Sequence, residues 1–166
     1  LGIFEKPFVD ESGVSIPSGI INATLYNCSV GSNGLIQNIG DYIANYNIGD
    51  NVVIKNCGKI NVEGISSFGN GTNIAVLNET GGREVKIWDR LSSHEAYINS
   101  LYRHRSNAVS AIEKMVDDYS LSHSSGTGII GNNSRIFNCS NIRNVKIGPF
   151  SKIEGSITLN EGSINS

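Results

Sequence analysis

Aliphatic and aromatic residues recur every six positions along two stretches of this chain. Val30, Ile36, Tyr42, Ile48, Ile54 and Ile60 keep that spacing, with Val14, Ile20 and Tyr26 upstream before a slip. Near the C-terminus Ile130, Ile136 and Ile142 are six apart, and after a one-residue deletion so are Ile147, Ile153 and Leu159. A strand asks for apolar residues at every second position and a helix at every third or fourth. A period of six suits a short strand plus a corner. Three such units close a triangular coil, and coils stacked on one another pair their strands about 4.8 Å apart. One aliphatic residue per unit then points to the axis. Each coil buries its apolar face only against its neighbours, so several are needed for stability.

The period vanishes between about 66 and 128. Ile98, Leu101/Tyr102, Val109, Ile112, Met115/Val116 and Tyr119 follow helical spacing instead. They predict an amphipathic helix over about 92–120, started by a Ser92/Glu95 capping box, with Ser106-Asn107 a weak spot where it would break into a hairpin. Before it, Ile74-Ala-Val-Leu77 and Val85-Lys-Ile-Trp88 read as two strands joined around Gly81-Gly82. The chain thus divides into an N-terminal cap with first coils (1–67), an insertion (68–128) and further coils (129–166).

The units Ile48-Gly-Asp-Asn-Val-Val53, Ile130-Gly-Asn-Asn-Ser-Arg135 and Ile147-Gly-Pro-Phe-Ser-Lys152 resemble the hexapeptide repeat of left-handed parallel β-helix proteins. The fold class this implies is mainly β, a left-handed parallel β-helix solenoid with a helical insertion of about 30 residues. The segment from Phe68 to Arg90, with Asp89-Arg-Leu-Ser92 and Tyr102-Arg-His-Arg105, also looks similar to an uncharacterised bacterial family. Its longer members carry hexapeptide repeats, and some are labelled nucleotidyltransferases.

Composition supports a chain full of corners. Asn (21 residues) and Gly (19) are abundant, and both tolerate positive φ. Hydrophobic residues make up 39% and charged residues 17%. The net charge of −2 gives no nucleic-acid footprint. No run is long and apolar enough for a membrane span. Three Cys without CxxC spacing fit a reducing compartment, and the expected location is cytoplasmic. The chain begins without Met and ends inside a unit at Glu161–Ser166, and so reads as a fragment of a longer protein.

Charge gathers in one place. Residues 83–118 hold 12 of the 28 charged side chains, six of each sign. Arg83, Arg90, Arg103, His104 and Arg105 form a candidate ligand-binding set, because guanidinium forks suit phosphate. Ion pairing with Glu79, Glu84, Asp89 and Glu95 is the competing reading. His123, where the chain rejoins the coils, is the candidate general base among three His, since an unperturbed imidazole titrates near neutrality. In hexapeptide acyltransferases, which the repeat resembles, a His lifts the proton from the acceptor. Metal-ligand spacing is absent. The matching Asn56-Cys57 and Asn138-Cys139 pairs read as structural corners.

Three functions stay open. The first is a structural, oligomerising or ligand-recognition module of a larger protein related to sugar-nucleotide transferases. The second is an acyltransferase using acyl-CoA through His123, and the third a protein-binding scaffold. The first fits best, since the chain reads as a fragment, its insertion is large and its His are poorly placed. Its expected partners are other copies of the chain, as a trimer, and a sugar nucleotide or sugar phosphate. The cofactor is open between acyl-CoA and a sugar nucleotide.

Overall fold

The computed structural model describes residues 1–9, 12–75, 81 and 84–165. They fall into two compact units, Leu1–Ser66 with Ser125–Ser166, and Ser67–Ser124. Among the described residues the protein is mainly β, with parallel sheets and two helices.

The first unit contains a five-stranded and an eight-stranded sheet, and every pairing within them is parallel. Strands Gly19–Ile21, Leu35–Ile39, Val53–Cys57, Arg135–Phe137 and Lys152–Glu154 stack in that order and align Ile20, Ile36, Ile54, Ile136 and Ile153 in one row. The eight-stranded sheet carries two more rows. One is Leu25, Ile43, Ile60, Ile142 and Leu159; the other is Val30, Ile48, Ile130, Ile147 and Ile164. Ile43, Ile54, Ile60, Ile130, Ile136, Ile142 and Ile147 are fully buried. Each such side chain contributes about 1.5–3 kcal/mol of transfer free energy. An antiparallel pair, Phe8–Val9 with Ser15–Ile16, precedes the parallel strands.

The strict six-residue spacing is not kept, which corrects the sequence reading. Leu25 and Ile43 occupy the buried row where Tyr26 and Tyr42 were expected, and Tyr26 is 70% exposed. Steps along the buried positions run from five residues (Ile43 to Ile48) to seven (Ile36 to Ile43). Register between stacked strands is what the rows preserve, and a corner absorbs a residue more or less. Val14 lies outside the rows and is exposed.

Asparagine makes those corners. Ten of the thirteen described non-glycine residues with positive φ are Asn, among them Asn22, Asn38, Asn56 and Asn138 with φ of 50–55°. These four stack as a ladder, each Nδ2 donating to the next Oδ1 at 3.2–3.4 Å. Glycine serves where stacked corners approach closely: a Cβ on Gly31 would lie 2.6 Å from the carbonyl carbon of Gly49. A different close approach fixes Gly128, against which the buried Tyr46 ring packs. Tyr46 donates its hydroxyl to the Val145 carbonyl at 2.8 Å.

In the second unit Thr72–Ala75 pairs antiparallel with Glu84–Ile87. Val76, Leu77 and Gly82 of the expected hairpin lie outside the described residues. The single helix expected over 92–120 is instead two, α1 (Ser93–Leu101) and α2 (Ser106–His123). Ser92 caps α1 by accepting from the Glu95 N–H at 3.2 Å. Arg105 at the start of α2 supplies no side-chain cap. The two helices bury the expected stripe unequally: α2 buries Val109 and Val116, whereas α1 buries Asn99 and leaves Ile98 and Leu101 about half exposed. No helix among the described residues is long and apolar enough to cross a membrane.

Candidate functional site

The five-stranded sheet faces its interior with Ile54, Ile136 and Ile153, so strand alternation turns their neighbours outward. Lys55, Phe137 and Glu154 align in one outward column, and Arg135 and Lys152 in the other. Successive rungs are about 4.8 Å apart. Three cations from three rungs therefore line one side of a cleft of about 480 Å³, with Phe8 and Val9 of the antiparallel pair also lining it.

Arg135 is the best-positioned of these groups. Its Nη1 donates to the Asn51 carbonyl at 2.7 Å, and its guanidinium lies 4.9 Å from the Phe8 ring centroid. Partial burial pulls its pKa down, because desolvation disfavours the charged form. Lys152 meets Glu154 at 3.5 Å. Asn138 ends the amide ladder, so its Nδ2 is a donor with Gly155 on the next rung and no side chain to receive it. With Glu154 set against Lys152, the two Lys, one Arg and an amide donor still leave the described lining net positive, which suits an anion, and the two Phe suit an apolar part beside it. The described lining holds no His or Cys.

The described residues singled out in sequence lie elsewhere, in the second unit. His123 occupies the last turn of α2, exposed and stacked on Tyr119 at 3.9 Å between centroids. Its Nδ1 is 2.9 Å from both the Tyr119 carbonyl and Ser122 Oγ. Arg90 reaches the same ring at 5.3 Å, Trp88 meets it edge-on at 5.0 Å, and the Tyr119 hydroxyl donates to Asp89 at 2.7 Å. Burial first and Asp89 second raise the Tyr119 pKa. So Arg90 and His123, proposed for different roles, share one aromatic partner.

The remaining basic residues gather at the turn between the helices. Arg103 pairs with Glu113 at 3.7 Å, His104 lies tilted against Tyr102 at 5.8 Å, and Arg105 precedes α2. Glu113 and Tyr119 are six residues apart on α2, about 9 Å along the axis. The four described members of the basic set are thus not one cluster. Arg83 lies outside the described residues. Buried Nε of Arg103 and Oδ1 of Asn99, both without partners, border a cavity of about 10 Å³, the room of one water molecule.

Lys55, Arg135 and Lys152 were missed in sequence because charge density points to the insertion. Their signal was there nonetheless: each flanks an isoleucine of one buried row. The structural reading of Cys57 and Cys139 holds for their burial, and burial pushes the Cys57 thiol up to about 11. Among the described residues no group of three or more His, Cys, Asp or Glu could hold a metal ion.

A family model described as "Domain of unknown function (DUF4954)" matches residues 1–166. A protein of Treponema pallidum (strain Nichols), named "Uncharacterized protein", is 28% identical over 92% of this chain and 22% of that protein. The chain therefore spans about a fifth of the length of this curated relative. No solved structure matches. These matches correct the expected membership of the hexapeptide-repeat family and of its transferase-labelled relatives: the whole length matches a different family, and the buried rows do not keep a repeat of six. The chain belongs to the DUF4954 family.

Proposed function

We propose that this chain is a ligand-recognition module of a longer, cytoplasmic protein, and that its cationic cleft takes a phosphate-bearing ligand such as a sugar phosphate or sugar nucleotide. The observation that carries the reading is Arg135, held in place by Asn51 and Phe8 between Lys55 and Lys152. Phosphate would meet the Arg135 guanidinium and the Lys55 ammonium, and would compete with Glu154 for Lys152, while a base or sugar ring would meet Phe8 or Phe137. A left-handed coil is the finer form of the fold in this proposal. Strands that pair with strands 16–18 residues further on support a coil, and its left hand is what this proposal adds. Assembly as a homotrimer belongs to the same proposal, and a monomer mass in sedimentation at micromolar concentration would remove it.

A thermal-shift panel of sugar phosphates, sugar nucleotides and acyl-CoAs tests the ligand. A binder at a hundred times its Kd stabilises the folded state by about 2.7 kcal/mol. The expected result is a shift with phosphate-bearing sugars that Arg135→Gln abolishes and His123→Ala leaves intact. A shift with acyl-CoA alone, lost in His123→Ala, would favour acyl transfer instead. Silence across the panel would leave a scaffold.

A further inference from the structure

Phe137 stands at the middle of a grid of outward side chains on the five-stranded sheet. Lys55 precedes it by one rung and Glu154 follows it by one rung in the same column, and all three line the cationic cleft. Two rungs set Lys55 and Glu154 roughly 10 Å apart at the backbone, with Phe137 between them. Arg135 and Lys152 are register partners in the neighbouring column, one on the strand of Phe137 and the other on that of Glu154.

Phosphate and ring therefore have separate places. Arg135 and Lys152, on adjacent rungs, suit phosphate oxygens. Phe137 offers a face to a flat base, and stacking alone does not distinguish one base from another, because every base has a π-face. The charges on either side of the ring do distinguish them. A cation stands at one end and a carboxylate at the other. Glu154 meets Lys152 at 3.5 Å, and both side chains are about half exposed, so a phosphate that engages Lys152 releases the carboxylate toward the ring.

A base that fits this frame presents acceptors to Lys55 and donors to Glu154. Guanine does both. Its O6 and N7 accept, and its N1–H and N2 amino group donate side by side, matching the two oxygens of one carboxylate. Adenine sets its N6 amino donor where Lys55 needs an acceptor. Cytosine has an amino donor beside a ring lone pair that would face the carboxylate, and uracil has one N–H between two carbonyls. We propose that the cationic cleft selects a guanine nucleotide, with the base on Phe137 between Lys55 and Glu154 and the phosphates on Arg135 and Lys152. This rests on the phosphate reading of the cleft and adds the base to it.

Calorimetric titration of the chain with GDP, ADP, UDP, CDP and inorganic pyrophosphate tests the two parts separately. GDP is expected to bind at least about tenfold more tightly than each of the other nucleotides, the discrimination of one bidentate pair. Glu154→Gln, at a half-exposed position, should erase that preference. Pyrophosphate should bind this variant as tightly as the parent or more so, since a competitor for Lys152 has gone. Phe137→Ala should weaken all four nucleotides and leave pyrophosphate unchanged; Glu154→Gln keeps the test valid if Phe137→Ala folds poorly. Equal affinity for the four nucleotides overturns the inference, and so does a GDP preference that survives Glu154→Gln. Where pyrophosphate still binds and Arg135→Gln abolishes it, such a result removes the guanine assignment and leaves the phosphate cleft standing. If neither pyrophosphate nor any nucleotide binds, both fall.

Discussion

Asn56 sits with φ of 53° and shares its amide with Asn38 above and Asn138 below. Left-handed backbone costs an ordinary L-residue roughly 1–2 kcal/mol. Asn56→Ala should therefore lower stability in urea unfolding by about 1–2 kcal/mol, and Asn56→Gly by less, because only the ladder contact is lost. An equal loss in both variants would show that the ladder, and not the backbone, sets the cost. Phe150 is the converse case: it holds φ of 58° with its ring 73% exposed. Phe150→Asn should gain stability in the same measurement. At this scale the sequence was readable in part. A chain with 21 Asn and 19 Gly announces corners. It does not say which of two neighbours faces inward, and so Tyr42 was read for Ile43 and Tyr26 for Leu25.

Helix ends decide the second unit. The N-terminus of α1 carries a serine cap and that of α2 carries Arg105, whose side chain caps nothing. An N-cap Ser is worth about 1 kcal/mol over a residue that cannot cap. Ser92→Ala should cost about that much, and Arg105→Ser should return a similar amount to α2; helicity followed by circular dichroism through a thermal melt checks both signs. A null result for Arg105→Ser would mean that the Tyr102–Arg105 turn, closed by a 2.9 Å backbone hydrogen bond, already fixes the helix start. The break itself lies immediately before Ser106, at the weak spot the sequence marks. One continuous helix was expected because apolar spacing survives a four-residue turn nearly in phase. Spacing reports periodicity along the chain, whereas burial reports facing, and the two part company at α1.

The parallel sheets stand or fall on rows that run through every rung. Ile54→Asp would bury an unpaired carboxylate at a fully buried position, at a cost of several kcal/mol against a typical stability of 5–15 kcal/mol. Loss of the cooperative melt of this unit is expected; a melt like the parent's would remove Ile54 from the core. Acid should loosen the same unit through Glu63, whose folded pKa is held at about 2 against an ordinary 4.5 by hydrogen bonds from Asn61 and then Lys59. A depressed pKa stabilises above the unfolded value and the benefit is lost as pH falls, here between about 4.5 and 2. Glu63→Gln should flatten that part of a stability-versus-pH curve. The mainly β class and parallel pairing were legible from aliphatic spacing. The cationic cleft was not, because it assembles from residues whose proximity exists only after stacking. That stacking spans the insertion: Ile36 meets Ile54 across 18 residues, but Ile54 meets Ile136 across 82. Closing the longer span costs about 1.3 kcal/mol more in chain entropy. Ser66 and Ser125 exchange backbone hydrogen bonds at 3.0 and 2.9 Å, so forming that clasp cuts the insertion out of the loop. Folding should then be ordered in time, with the clasp a precondition for the middle seam. In pulsed hydrogen exchange, the Arg135 amide, which donates to Ser151, should be protected early, and the Val53 amide, which donates to Ser134 across the seam, late.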